Sequence, residues 1–257
     1  MNMKKIVAVI PARYKSTRFE GKPLALILGK PMIKHVYEGV KNSELLSDVI
    51  VATEDKRIFD ACKDFGANVV MTKDTHQTGT DRIIEAVQDI DADIILNIQG
   101  DEPLVNSEII SALIKPFNEI DENGEISFTS VKTPIYYFDE FMDPNNVKVV
   151  TDKKNFGIYF SRSPIPYDRE QADRLKDIKG IYGYKHLGFY GYTKKFLFEF
   201  GKMEQSYLEK KEMLEQLRAI ENGYRIKLET VDISTIPVDV KDDIKKVENF
   251  ILKSYNK

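Results

Sequence analysis

Lys5-Ile6-Val7-Ala8-Val9-Ile10-Pro11-Ala12-Arg13-Tyr14-Lys15-Ser16-Thr17-Arg18-Phe19-Glu20-Gly21-Lys22-Pro23-Leu24 is the stretch that decides the fold. After Lys5 come five apolar, mostly β-branched residues, Ile6 to Ile10, the pattern of a strand buried on both faces. A polar loop runs from Pro11 to Gly29. Met32, Ile33, Val36 and Val40 then recur at helical spacing after Pro31, a residue favoured in a first helical turn. The same rhythm continues outward. Val49 to Ala52 reads as a second strand, and Ile58, Ala61, Cys62 and Phe65 mark a helix ended by Gly66. Asn68 to Met71 gives a third strand, and Ile83, Ile84 and Val87 lie on a helix entered through Thr80-Asp81, with Thr80 as its cap. Ile94 to Ile98 is a fourth strand, and Ser107 caps a helix carrying Ile110, Leu113 and Ile114. Strands alternating with helices through short connections predict an α/β fold, three-layered around a largely parallel sheet.

The second half breaks this rhythm. Strand-like segments crowd together at Ile126 to Thr129, Val147 to Val150, Phe156 to Phe160 and Leu187 to Tyr192. Helices are expected from Lys194 to Phe200 and from Leu208 to Glu221, then a strand from Arg225 to Val231 and a terminal helix from Asp242 to Tyr255. The charged stretch Asp168 to Lys179 is assigned no role beyond a lid or a dimer edge. With no repeat, low-complexity tract or linker, the expectation is one domain, 1–257, in which a nucleotide-type half is completed by a mixed α/β half.

Composition narrows the function. Lys and Arg number 38 against 41 Asp and Glu, a formal net charge of −3, so no basic excess exists to drive nucleic-acid binding by counterion release. Hydrophobic residues at 42% supply a sizeable core, yet no apolar run approaches a membrane span and no signal peptide is read at the start. One cysteine, Cys62, excludes an intramolecular disulfide and a Cys-rich zinc site. His35, His76 and His186 are widely spaced, without an HExxH pattern.

In open α/β sheets ligands bind beyond the carboxyl ends of the strands, so the loops after the first and fourth strands matter most. The first carries Arg13, Lys15, Arg18 and Lys22 beside two hydroxyls and Gly21. Such a loop reads either as a solvated charged surface or as a triphosphate cradle able to neutralise charge on a pyrophosphate leaving group. It is not a Walker A loop, because Pro23 follows Gly21-Lys22, and it is not a GxGxxG loop. The second loop, Asn97-Ile98-Gln99-Gly100-Asp101-Glu102-Pro103, reads either as a turn or as a magnesium site, since Mg²⁺ favours one or two carboxylates together with phosphate oxygens.

An ordered set of motifs joins these loops. It runs Ile10-Pro11-Ala12-Arg13-Tyr14 with Ser16-Thr17-Arg18, Gly21-Lys22-Pro23-Leu24, and His76-Gln77-Thr78-Gly79-Thr80-Asp81-Arg82. It continues with Gln99-Gly100-Asp101-Glu102-Pro103, Val147-Lys148-Val149-Val150, and Tyr159-Phe160-Ser161-Arg162-Ser163-Pro164-Ile165-Pro166. It closes with His186-Leu187-Gly188-Phe189-Tyr190 and Leu214-Glu215-Gln216-Leu217-Arg218. In this order, from about residue 4 to about residue 250, the chain resembles the 3-deoxy-manno-octulosonate (Kdo) cytidylyltransferases.

The resemblance implies a Rossmann-like nucleotidyltransferase fold and a cytoplasmic homodimer. The implied reaction converts CTP and Kdo to CMP-Kdo and pyrophosphate with Mg²⁺, for lipopolysaccharide or capsule. It divides the chain into a nucleotide-binding half, about 1–120, and a sugar-binding and dimerisation half, about 121–257. Arg13 and Lys22 then match triphosphate positions, and Asp101 with Asp239 match magnesium aspartates. Ala12, Gln77, Thr78, Gly79 and Thr80 match the cytosine side, with Asp81 and Arg82 in support. Gln99, Arg162, His186, Glu215 and Gln216 match the sugar pocket, Arg162 suiting the sugar carboxylate. Read without the family, the 77–80 loop is a helix N-terminus, His186 a strand histidine and Leu214 to Arg218 ordinary helix. Tyr159, Phe160, Phe189 and Tyr190 read as core or dimer interface.

Some positions depart from the family pattern. Phe19-Glu20 replaces Leu-Pro, adding a negative charge near the expected triphosphate. Thr78 replaces Ser, Thr53-Glu54-Asp55 replaces Thr-Asp-Asp, and Val240-Lys241 replaces Thr-Pro after Asp239. Two alternatives stay open: the same reaction on 8-amino-8-deoxy-Kdo or a sialic-type nonulosonate, and a non-catalytic sugar-nucleotide-binding protein.

Overall fold

The computed structural model describes residues 4–76, 78–121, 124–169, 180–233 and 235–255. Gln77 and most of the charged stretch 168–179, from residue 170 on, therefore lie outside the described residues. The chain forms two compact units, Met1–Ser111 with Thr235–Lys257, and Ala112–Ser234.

The first unit is built on β1 (Ile6–Ala12), β2 (Asp48–Thr53), β3 (Asn68–Met71) and β4 (Ile94–Asn97), alternating with α1 (Met32–Lys41), α2 (Lys56–Asp64) and α3 (Gly79–Ala86), and α4 (Ser107–Ile114) starts in it and runs on past Ser111. The strands lie in the order β4-β1-β2-β3, every pairing parallel. Val7 to Ile10 and Val49 to Ala52 are buried throughout, which is why these strands read as continuous apolar runs rather than alternating ones. Because the strands run one way, the loops following β1, β3 and β4 leave the sheet at the same edge. Gly66 closes α2 as expected.

Two helix caps differ from the sequence reading by one or two residues. Thr78, not Thr80, caps α3: its hydroxyl accepts from the Asp81 amide at 3.1 Å, and the Asp81 carboxylate accepts from the Thr78 amide at 3.0 Å. Thr80 is instead buried in the first turn. Asn106, not Ser107, caps α4, its Oδ1 accepting from the amides of Glu108 and Ile109. In both cases neighbouring residues carry capping oxygens, and only the backbone path selects between them.

The second unit contains β5 (Phe128–Ile135), α5 (Phe138–Met142), β6 (Lys148–Thr151), β7 (Gly157–Ser161), β8 (Gly183–Thr193), α6 (Lys194–Phe200), α7 (Tyr207–Glu212), α8 (Gln216–Glu221) and β9 (Lys227–Thr230). Strand β8 runs antiparallel to both β5 and β6, β6 is antiparallel to β7, and β9 joins β5 in parallel. This is the mixed half expected from the sequence. Phe128, Tyr192, Phe196 and Phe200 pack as an aromatic cluster, with Phe128 and Tyr192 centroids 4.7 Å apart. The pairing of β8 with β5 slips once: Leu187 opposes Val131 but Tyr190 opposes Ser130, so Gly188 and Phe189 form a bulge.

The single helix expected from Leu208 to Glu221 is two. Met213 adopts a left-handed conformation at φ 54° and separates α7 from α8. Such a turn costs about 1–2 kcal/mol. It is offset by Arg218, whose guanidinium reaches back to grip the Glu209 carboxylate at 2.6 and 2.9 Å, both side chains buried. The apolar spacing is nearly continuous across the break, so periodicity alone could not reveal it.

After residue 234 the chain rejoins the first unit and ends in α9 (Lys241–Tyr255). Val238 and Val247 pack with Phe19, Ile27 and Met32 in one apolar cluster. The amide of Val238 donates to the Asp101 carbonyl at 2.9 Å. These contacts bring Asp239 to the loop that follows β4.

Candidate active site

At the carboxyl edge of the first unit's sheet lies a cavity of about 330 Å³. Ala12, Arg13, Ser16, Arg18 and Lys22 line it from the first loop, and Gln99, Gly100 and Asp101 from the loop after β4. His76, Thr78, Gly79 and Arg82 contribute from around the start of α3, and Asp239 from the returning segment. Of the expected nucleotide and metal positions, Thr80 is the described residue that stays out of the lining, and Gln77 lies outside the described residues. Arg18, Ser16 and His76 were not singled out individually in the sequence. Arg18 was visible as one cation among four in the first loop.

The carboxylates of Asp101 and Asp239 converge on one ammonium. Lys22 Nζ lies 2.7 Å from Asp101 Oδ2 and 3.7 Å from Asp239 Oδ1, and Arg18 Nη1 donates to Asp239 Oδ2 at 3.2 Å. Side-chain exposure here runs from 16% for Lys22 to 65% for Arg18, so these are hydrated pairs that a polyanion can enter and rearrange. Arg13, Arg18 and Lys22 against two carboxylates leave the lining biased positive, before the positive end of α3 is counted. Two carboxylates from separate segments, with phosphate oxygens completing the shell, are a donor set that suits Mg²⁺. Among the described residues no cluster of three or more His, Cys, Asp or Glu ligands occurs, so a metal held by protein groups alone is not supported.

The loop is held in place from several sides. The Gly21 amide donates to the Tyr14 carbonyl at 2.9 Å, and Gly21 sits at φ 71°, a conformation glycine adopts without strain. The Arg57 guanidinium stacks 3.2 Å from the Tyr14 ring centroid, while its fork grips Asp55, the N-cap of α2. Glu54 accepts from the Tyr14 amide at 3.1 Å and lies 2.8 Å from Arg82, a buried cation that also bonds Thr72. The longer Glu at this departure from the family pattern thus ties the first loop to α3. Phe19 is buried in the cluster with Val238, whereas Glu20 is exposed and does not line the cavity. A β-carbon on Gly100 would fall 2.8 Å from the Pro11 carbonyl oxygen, so only glycine lets this loop lie against the end of β1.

The sugar-side positions of the second unit fall into two groups. Arg162, at the end of β7, donates its amide to Glu212 Oε2 at 3.0 Å, its Nε to the Glu212 carbonyl at 2.8 Å and its Nη1 to the Pro144 carbonyl at 3.1 Å. Glu212 also accepts from Ser161 and Tyr159. Burial works against its charge, but these hydrogen bonds and the charge of Arg162 outweigh it and hold the carboxyl below its ordinary range. Glu212 was absent from the sequence reading, where nothing in its helical context marked it.

In the second group His186 and Gln216 are uncharged and buried, whereas Tyr190 and the carboxylate of Glu215 are half-buried. His186 packs edge-on against Phe160 and beside Tyr190, and Ser130 Oγ lies 2.9 Å from its Nε2. Burial pushes the imidazole down to about 3, so it is uncharged near neutral pH. The Tyr190 hydroxyl donates to Gln216 Oε1 at 3.1 Å, and burial raises the pKa of that phenol. Gln216 Nε2 is a buried donor with no hydrogen-bond partner among the described residues. Glu215 stands beside it, 3.6 Å from Arg218. Tyr190, read from sequence as core or interface, is thus bonded into the group that contains two expected sugar positions.

A family model described as cytidylyltransferase matches residues 7–230. A 3-deoxy-manno-octulosonate cytidylyltransferase of Geotalea uraniireducens (strain Rf4) is 49% identical over 247 residues, spanning 95% of this chain and 97% of that one. A solved structure of CMP:2-keto-3-deoxy-manno-octonic acid synthetase complexed with CTP superposes with a TM-score of 0.88 at 37% identity, covering 97% of this chain and 99% of that one. The 4-diphosphocytidyl-2C-methyl-D-erythritol synthase of Anaerococcus prevotii superposes with a TM-score of 0.64 at 14% identity, covering 98% of this chain and all of that one, a likeness of fold alone.

Proposed function

The chain belongs to the cytidylyltransferase family, and we propose that it transfers CMP from CTP to the anomeric hydroxyl of Kdo, releasing pyrophosphate. The observation that carries the proposal is the meeting of Asp101 and Asp239 on Lys22 within a cavity lined by Arg13 and Arg18. The match in sequence and fold to proteins that bear this activity supports it.

The proposed mechanism is positioning and charge neutralisation around an in-line displacement at the α-phosphate. Arg13, Arg18 and Lys22 receive the triphosphate and stabilise the negative charge that moves onto pyrophosphate. The amides at the start of α3, with Thr78, Gly79 and Ala12, orient the nucleotide. Asp101 and Asp239 are the residues that would hold Mg²⁺, which when bound polarises phosphate oxygens. Lys22 would then exchange part of its carboxylate contact for phosphate. For the acid sugar the resemblance points to Gln99, Arg162, His186, Glu215 and Gln216. Arg162 meets the carboxylate, and His186, Glu215 and Gln216 bond hydroxyls.

Among the described residues no helix is long and apolar enough to cross a membrane. A cytoplasmic homodimer belongs to the same proposal, on the strength of the resemblance. The direct test is pyrophosphate release with CTP and Mg²⁺ across Kdo, 8-amino-8-deoxy-Kdo and sialic acid. Turnover is expected to be fastest with Kdo. Preference for either other sugar would replace the substrate, and no release with any of them would overturn the activity.

A further inference from the structure

The bulge in β8 leaves a backbone problem that one side chain solves. Between Leu187 and Tyr190 the ladder with β5 loses its register, and the carbonyls of Leu187 and Phe189 are left facing Ser130. Ser130 is fully buried, and its Oγ lies 2.8 Å from the Phe189 carbonyl oxygen and 3.4 Å from that of Leu187. A serine hydroxyl has a single proton, and a carbonyl oxygen can only accept. At 2.8 Å the contact with Phe189 needs that proton, because without it two oxygen lone pairs would face each other in a buried site.

The hydroxyl's proton is thereby committed, and what it offers to other neighbours is a lone pair. His186 Nε2 is the neighbour, at 2.9 Å. To bond there, Nε2 must carry a hydrogen. A neutral ring has one N–H, so its other nitrogen, Nδ1, is left as an acceptor. The ring is kept neutral by surroundings of Phe160, Tyr190 and β5, with no carboxylate hydrogen-bonded to it among the described residues.

We propose that Ser130 is a positioning residue that fixes His186 as the Nε2–H tautomer, so that the imidazole receives a sugar hydroxyl through Nδ1 as an acceptor. The second clause rests on the reading of His186 as a sugar-pocket residue. The β8 bulge and the recognition of the sugar are then linked: the displaced carbonyls orient the serine proton, and the serine orients the imidazole. Gln216, whose buried Nε2 has no hydrogen-bond partner among the described residues, supplies the complementary polarity in the same group.

The test is two-bond ¹H–¹⁵N correlation spectroscopy of the full chain at pH 7.5 without ligand, the His186 signals being assigned by their loss in His186→Asn. The wild-type protein is expected to show the Nε2–H pattern. An Nδ1–H pattern or a doubly protonated ring overturns the proposal, with no variant required. In Ser130→Ala the pattern should become a mixture of tautomers and the KM for Kdo should rise roughly three- to tenfold, the loss of one oriented hydrogen bond. The KM for CTP should stay within about twofold, and Ser130→Thr, which keeps the hydroxyl, should restore both readouts. A tautomer unchanged in Ser130→Ala overturns the positioning role. A tautomer that changes while the KM for Kdo does not overturns the acceptor role, and with it the assignment of His186 to the sugar.

Discussion

The cavity of the first unit and the His186 group of the second use polar side chains in opposite ways. Around Lys22 the groups are charged, partly hydrated and paired with one another, so a triphosphate and a cation can enter by exchanging partners. Around His186 the side chains of Ser130, His186 and Gln216 are uncharged and buried, and their directions are set by hydrogen bonds among β5, β8 and α8. Exposed charge suits a ligand that brings several charges of its own. Buried neutral donors and acceptors suit a ligand distinguished by where its hydroxyls point, because a mismatched hydroxyl would leave a buried group unpaired. Arg162 stands between the two styles, a cation oriented by two carbonyls.

Substitutions separate these styles. The largest effect is expected in Lys22→Ala, which removes the proposed triphosphate contact and the ammonium on which Asp101 and Asp239 converge. Its kcat/KM for CTP should fall on the order of 10²-fold or more. Unchanged CTP kinetics would remove Lys22 from the site. Arg162→Ala should raise the KM for Kdo by about 10- to 100-fold, the range for a charge-assisted hydrogen bond, with a smaller change for CTP. The reverse order would assign Arg162 to the nucleotide.

The smallest effect is on stability and concerns pH. His186 has its pKa lowered from 6.5 to about 3 by burial. Below 6.5 the unfolded chain takes up a proton that the folded chain refuses, so the contribution of His186 is fully present above 6.5 and is lost as pH falls toward about 3. The loss is about 1.4 kcal/mol per pH unit once below 6.5. Urea unfolding of wild type and His186→Gln from pH 7.5 to about 5, above most carboxylate titration, should show a steeper fall in the wild type. Equal slopes would mean that the buried ring titrates normally.

The charged region was legible from sequence and the neutral one only in part. Arg13, Arg18, Lys22 and Asp101 announce themselves because charged residues cluster on loops that follow buried apolar strands, and strand periodicity says where those loops lie. Asp239 was reachable only through the resemblance. Its convergence with Asp101 depends on the Val238 amide and on Phe19 packing against the returning segment, contacts between parts of the chain far apart in sequence. The strand and helix order of the first unit follows from local pattern, whereas the caps at Thr78 and Asn106 turn on the backbone path. In the second unit the break at Met213 and the bulge at Gly188-Phe189 are tertiary products. Met213 carries no glycine-like signal, and a strand sequence does not record which partner residue it skips. Ser130, Tyr190 and Glu212 take their roles from those two irregular places or from β7, and no local pattern around them names the task.

The central claim is that Asp101 and Asp239 act as one unit on the phosphoryl chemistry. A double-mutant cycle tests it most directly, using wild type, Asp101→Asn, Asp239→Asn and the double variant, with pyrophosphate release measured at saturating CTP, Kdo and Mg²⁺. Each single variant should lose most of its turnover, and the double variant should be little worse than the poorer single one. Near-normal turnover in either single variant, or losses that simply multiply in the double variant, would contradict it.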